Sequence, residues 1–92
     1  MRRFLLERDI PGIGQAEGEE LKAVARNFNR IVGQLGSDVQ WVESYVAADK
    51  TFCVFFAPSE GLIREYCERA GFPIDTITEI TAILDSATVG TE

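Results

Sequence analysis

The stretch at residues 39–57, VQWVESYVAADKTFCVFFA, decides how this chain folds. Two runs rich in Val, Tyr, Trp and Phe flank Asp49-Lys50, and each has the composition of a β-strand. With Asp49 and Lys50 as the turn, Ala47 is expected opposite Phe52, Tyr45 opposite Val54 and Glu43 opposite Phe56. The alternate set pairs Val46 with Cys53, Ser44 with Phe55 and Val42 with Ala57. Side chains alternate across a strand, so these sets lie on opposite faces of one sheet. One face would carry Trp41, Tyr45, Phe52 and Phe56 around a single carboxylate, Glu43. Both faces are too apolar to be left in water, so each is expected to be covered.

The segments on either side fit around this hairpin. Residues 3–10 form a first strand, with Phe4 and Leu6 on one face and Leu5 and Glu7 on the other. Pro11-Gly12-Ile13-Gly14 ends it, because proline breaks a ladder and glycine permits a turn. Leu21, Val24, Ala25, Phe28, Ile31, Val32 and Leu35 recur at helical spacing and predict a helix over 16–35. Its acidic residues, Glu17, Glu19 and Glu20, stand at the start, where the helix dipole favours them. Gly36 is its stop. After the hairpin, Ser59 is the expected N-cap of a second helix with Leu62, Ile63, Tyr66, Cys67 and Ala70 inward. Gly71-Phe72-Pro73 ends that helix, with the glycine left-handed. Residues 76–84 alternate as a last strand.

The order βαββαβ, with two right-handed crossovers, predicts an α+β ferredoxin-like sandwich. Its four-stranded antiparallel sheet runs 4-1-3-2, with both helices on one face. One domain spans residues 1–85, and 86–92 form a loose tail. The aromatic sheet face is left over, and a patch of that kind marks an interface or a ligand site. Two such sheets face to face make a dimeric α+β barrel, so a homodimer through the open face is expected.

Composition narrows the function. At 92 residues and a formal net charge of −6, the chain has neither the basic surface nucleic acid needs nor one for anionic membranes. No apolar run approaches the ~20 residues of a membrane-spanning helix, and the N-terminal MRRFLLERD is too short in its apolar part for a signal peptide. The expectation is cytoplasmic. The chain has no histidine, which removes Ser-His-Asp and Cys-His catalysis and imidazole ligands together. Cys53 and Cys67 are read as buried, reduced thiols. The two glycines after the first strand match neither GxGxxG nor GxxxxGK[ST]. An aromatic third strand of RNA-recognition type is opposed by the acidic charge, and an acylphosphatase anion loop by the lack of arginine in residues 11–15.

What remains is the open face. Strand alternation places Leu5 and Glu7, and Ile77, Glu79, Thr81 and Ile83, on the side of Trp41, Glu43 and Tyr45. Glu7, Glu43 and Glu79 are thus candidate ligands for a hard divalent cation, since clustered carboxylates in a closed space raise one another's pKa or bind a cation. Trp41, Glu43, Tyr45, Phe52, Phe56 and Tyr66 are the candidate lining of a ligand cavity. The leading expectation is a non-enzymatic protein that binds a metal ion or a small ligand. The alternatives are a small oxidative or isomerising enzyme, with Glu43 as base and Tyr45 or Tyr66 as polariser, and a structural dimer without a site.

A resemblance adds to this. RFLLER at residues 3–8, VQWVESYV at 39–46, DKTFCV at 49–54, Ala57-Pro58, Ile63-Arg64-Glu65 and AGFP at 70–73 resemble a family of small bacterial ferredoxin-like proteins of formerly unknown function. That family includes a nickel-binding, nickel-responsive actinobacterial protein. The resemblance implies the ferredoxin-like fold, a dimer and nickel as the metal. Histidine often stands in the family where this chain has Glu43 and Tyr66, so the resemblance implies a divergent member with a changed ligand at those positions, or none.

Overall fold

The computed structural model describes residues 1–34, 36, 38–69, 71 and 73–89, apart from the side chains of Tyr66 and Val89. Four strands, β1 (Arg2–Asp9), β2 (Gln40–Val46), β3 (Lys50–Ala57) and β4 (Thr76–Ile80), form one antiparallel sheet in the order β2-β3-β1-β4. Read from the other edge, this is the expected 4-1-3-2. Helices α1 (Glu19–Gln34) and α2 (Glu60–Arg69) follow β1 and β3, and a four-residue helix α3 (Ser86–Val89) follows β4.

One face of the sheet makes the core. Phe4 and Leu6 of β1, Cys53, Phe55 and Ala57 of β3 and Ile77 of β4 pack against Phe28 and Ile31 of α1 and Ile63 and Cys67 of α2. Both helices therefore cover the same face. β1 and β3 alternate cleanly: Phe4, Leu6, Thr51, Cys53, Phe55 and Ala57 are buried, while Leu5, Glu7, Phe52, Val54 and Phe56 are half-buried on the other side. The caps are local. Ser59 Oγ accepts the Leu62 amide at 3.2 Å, and Gly71 sits at φ 69, the left-handed conformation that glycine adopts without a Cβ penalty.

The hairpin departs from expectation in two places. Its connection is three residues, 47–49, not two: Val46 faces Thr51 and Tyr45 faces Phe52, so the register is shifted by two. The loop after β1 holds this turn. The Ile10 amide donates to Asp49 O, the Gly14 amide to Ala48 O, and the Gly12 amide to Asp49 Oδ1. Gly14 lies so near the turn that a Cβ there would stand 2.7 Å from Ala48 Cα. The second departure is a β-bulge between Trp41 and Glu43. The extra residue, Val42, reverses the alternation, so Trp41 faces Phe55 on the helix side.

The last strand stops at Ile80 and not at residue 84. Its parity is also the reverse of that expected: Ile77 faces Leu6 in the core and Glu79 faces Phe4, leaving Thr76, Thr78 and Ile80 on the open side. Where a loose tail was expected, Asp85 starts a helical turn, its Oδ1 accepting the Ala87 and Thr88 amides at 2.9 and 3.2 Å.

Candidate functional site

The open sheet face is built of three cross-strand rows. Ile80, Arg3 and Phe56 form one, Thr78, Leu5, Val54 and Glu43 the next, and Thr76, Glu7, Phe52 and Tyr45 the third. The middle is apolar, and charge sits around it. The Arg3 guanidinium lies 4.9 Å over the Phe56 ring, and Lys50 Nζ lies 5.8 Å from the Phe52 centroid. Lys50 also meets Glu7 at 3.4 Å and Asp9 at 3.8 Å. On the β2 edge, the Tyr45 hydroxyl donates to Glu43 Oε2. That carboxylate holds the phenol proton and raises the Tyr45 pKa.

Glu43, Tyr45, Phe52 and Phe56 thus share one face, with Glu7 beside Phe52. Trp41 is not among them. Its ring packs edge-on against Phe28 at 5.3 Å and 83°, and its Nε1 donates to Ser44 Oγ at 2.9 Å. It is a wall of the core, turned there by the bulge at Val42. Glu79 also leaves the proposed carboxylate group. It lies on the helix side in a two-point pair with Arg2, at 3.0 and 2.5 Å, and this partner lowers its pKa. The Tyr66 side chain lies outside the described residues. Arg3 and Lys50 were not singled out in the sequence, although Arg3 has the parity of Leu5 and Glu7 and could have been found by it.

A recess of about 540 Å³ lies on the helix layer, lined by Arg64, Cys67, Glu68, Gly71, Pro73 and Ile74. The cation among its described lining residues, Arg64, is held by Glu60 at 2.9 Å, and Cys67 is 5% exposed. It does not adjoin the open face.

Residues 4–80 match the family of nickel-responsive proteins described as SCO4226-like. The chain belongs to this family. Among solved structures, the crystal structure of SCO4226 from Streptomyces coelicolor A3(2) superposes with a TM-score of 0.69 at 18% identity, covering 89% of this chain and 99% of that one. At that identity the likeness is one of fold. No curated protein matches the chain.

The metal in the SCO4226-like family's name can be tested against the donors here. Nickel favours imidazole and thiolate over lone carboxylates. This chain has no histidine. Both thiols are in the core, and burial pushes their pKa values up, that of Cys67 to about 11, so neither is a thiolate at neutral pH. Among the described residues no three His, Cys, Asp or Glu side chains cluster. Glu7 is taken by Lys50, Glu43 by Tyr45 and Glu79 by Arg2. The described residues of a single copy do not fit a nickel centre.

Proposed function

We infer that this SCO4226-like chain is a non-enzymatic binding module that works as a homodimer through its open sheet face, holding a small, largely apolar ligand between the two faces. The observation that carries this reading is the face itself: Leu5, Phe52, Val54, Phe56 and Ile80, half-buried in one copy, with the polar Glu43–Tyr45 pair on one border. A patch of that composition is one that proteins cover. Its charges favour a second copy as the cover. Arg3 has no ion pair to a carboxylate among the described residues, and Glu43 meets a phenol and no cation. Within one copy they stand on strands separated by β3, roughly 10 Å apart. Face to face across a twofold axis, Arg3 of each copy can meet Glu43 of the other, as an isologous interface requires. The Glu43–Tyr45 pair then borders the enclosed space and offers a hydrogen-bonding anchor to an otherwise apolar ligand.

The same pair is what favours the enzymatic alternative, since a carboxylate and a phenol in contact can serve as base and polariser. Tyr45 is 54% exposed in one copy, so that chemistry would also wait for the second copy to exclude water.

Three measurements test the reading. Sedimentation velocity at micromolar concentration is expected to give a dimer, and a monomer would overturn it. Native mass spectrometry of the purified dimer is expected to retain a small molecule, and Glu43→Gln should lose it with the fold intact. Retention unchanged in Glu43→Gln would remove Glu43 as the anchor. Calorimetric titration with nickel is expected to show no stoichiometric binding, whereas tight binding at one ion per chain would restore the metal reading.

A further inference from the structure

The open face is not level. On β3, Phe56 and Phe52 stand four residues apart, about 14 Å, with Val54 between them. Val54 belongs to the middle row, which crosses the sheet as Thr78, Leu5, Val54 and Glu43. Thr78, Leu5 and Val54 are shorter than the rings that flank the row, so it forms a shallow slot. Phe56 and Phe52 wall it, and the Glu43 carboxylate stands at its β2 end.

A ligand held there between two copies has to be thin. Sheets packed face to face stand about 10 Å apart, and side chains fill that gap. What a row of shorter side chains leaves is the depth of a flat ring and not of a bulky alicyclic body. Rings on both walls also favour an aromatic occupant, because ring pairs in offset or edge-to-face contact gain more than their buried area alone.

The hydrogen bonds at the end of the slot have a direction. The Tyr45 hydroxyl donates to Glu43 Oε2, so its proton is committed and its oxygen can only accept. Glu43 makes no other hydrogen bond among the described residues. A carboxylate has about four lone-pair sites, so Tyr45 and an arginine from the other copy still leave room for a donor. The ligand must therefore bring the proton. It cannot bring negative charge, because Lys50 is shared by Glu7 and Asp9, Arg3 faces Glu43 in the dimer, and each copy already carries −6. A cation would lose its water beside a carboxylate that Arg3 already compensates.

We propose that the ligand of this slot is a neutral, planar aromatic molecule with a hydroxyl or N–H donor, which it directs at Glu43. The proposal rests on the dimer reading above. Equilibrium dialysis of the wild-type protein at pH 7 compares probes of one ring system. Naphthol is expected to bind at least tenfold more tightly than methoxynaphthalene, naphthoate, naphthylmethylammonium or decahydronaphthol. The ether lacks only the donor, the acid and the amine add charge of either sign, and the saturated alcohol keeps the donor but is not flat. Equal or tighter binding of any of the four would overturn the proposal. Val54→Phe fills the slot from the face that the helices do not cover, and should lower naphthol affinity at least tenfold with circular dichroism unchanged. Undiminished binding to that variant would put naphthol elsewhere and overturn the proposal as well. Sedimentation separates the two readings. A wild-type dimer that does not discriminate among the probes leaves the dimer standing and removes the ligand class, whereas a monomer removes both.

Discussion

At the residue scale, Cys67 and Glu43 show how neighbours decide what a side chain can do. Cys67 faces the core beside Cys53, and burial, with a smaller contribution from the other sulfur, moves its pKa from 9.0 to about 11. The neutral thiol is therefore the folded form at pH 7. Because the folded value lies above the unfolded one, this contribution to stability is complete below pH 9 and is lost as the pH rises towards 11. Its full size is on the order of 3 kcal/mol. Urea unfolding from pH 8 to 11 should show a falling alkaline limb that Cys67→Ala flattens. A thiol reagent at pH 8 should react with both cysteines only after unfolding, and fast labelling of the native chain would contradict the buried placement. Glu43 is the opposite case. Exposed in one copy, it accepts from the Tyr45 hydroxyl and pairs with no cation among the described residues.

At the scale of elements, the contact between the loop after β1 and the hairpin turn positions β2. Three backbone amides of the loop donate to Ala48 and Asp49, and Gly14 fits because it has no Cβ. Gly14→Ala forces a methyl against the backbone of Ala47 and Ala48, and should cost about 1–3 kcal/mol. In a domain of this size that lowers Tm by roughly 4–8 °C per kcal/mol. Gly33 is the control. It lies within α1 with open space around its Cα, and Gly33→Ala should stabilise by about 0.5–1 kcal/mol. Thermal unfolding of the two variants should move in opposite directions, and the same sign for both would contradict the seated loop. The sequence marks both glycines alike. Only the packing of the turn separates them.

At the scale of the whole molecule, the open face leaves Leu5, Phe52, Val54, Phe56 and Ile80 only half-buried in a single copy. Arg3 and Glu43 supply a test that does not depend on ligand identity. Arg3→Glu should weaken the proposed dimer by placing like charges across it, as should Glu43→Arg, and the two together should recover much of the loss. Sedimentation of the single and double variants at low and high salt checks this. A double variant as weak as the sum of the singles would show that the two residues do not meet.

Much of the architecture was legible in the chain. The element order, the alternation of Phe4, Leu6, Cys53 and Phe55 into the core, the Ser59 cap and the left-handed Gly71 follow from local chemistry, because periodicity and turn geometry act over a few residues. Glu43, Tyr45, Phe52 and Phe56 were placed on one face for the same reason. Trp41 and Glu79 were not placed correctly, and the cause is physical. Sheet parity turns on a single residue, so the bulge at Val42 sends Trp41 to Phe28, and the pairing of β4 with β1 sends Glu79 to Arg2. Neither register is written in its own strand. Hydrophobic pattern determined which segments are strands and helices. Only tertiary contact, through the loop at Gly14 and the bulge at Val42, decided which side chains stand together on the open face.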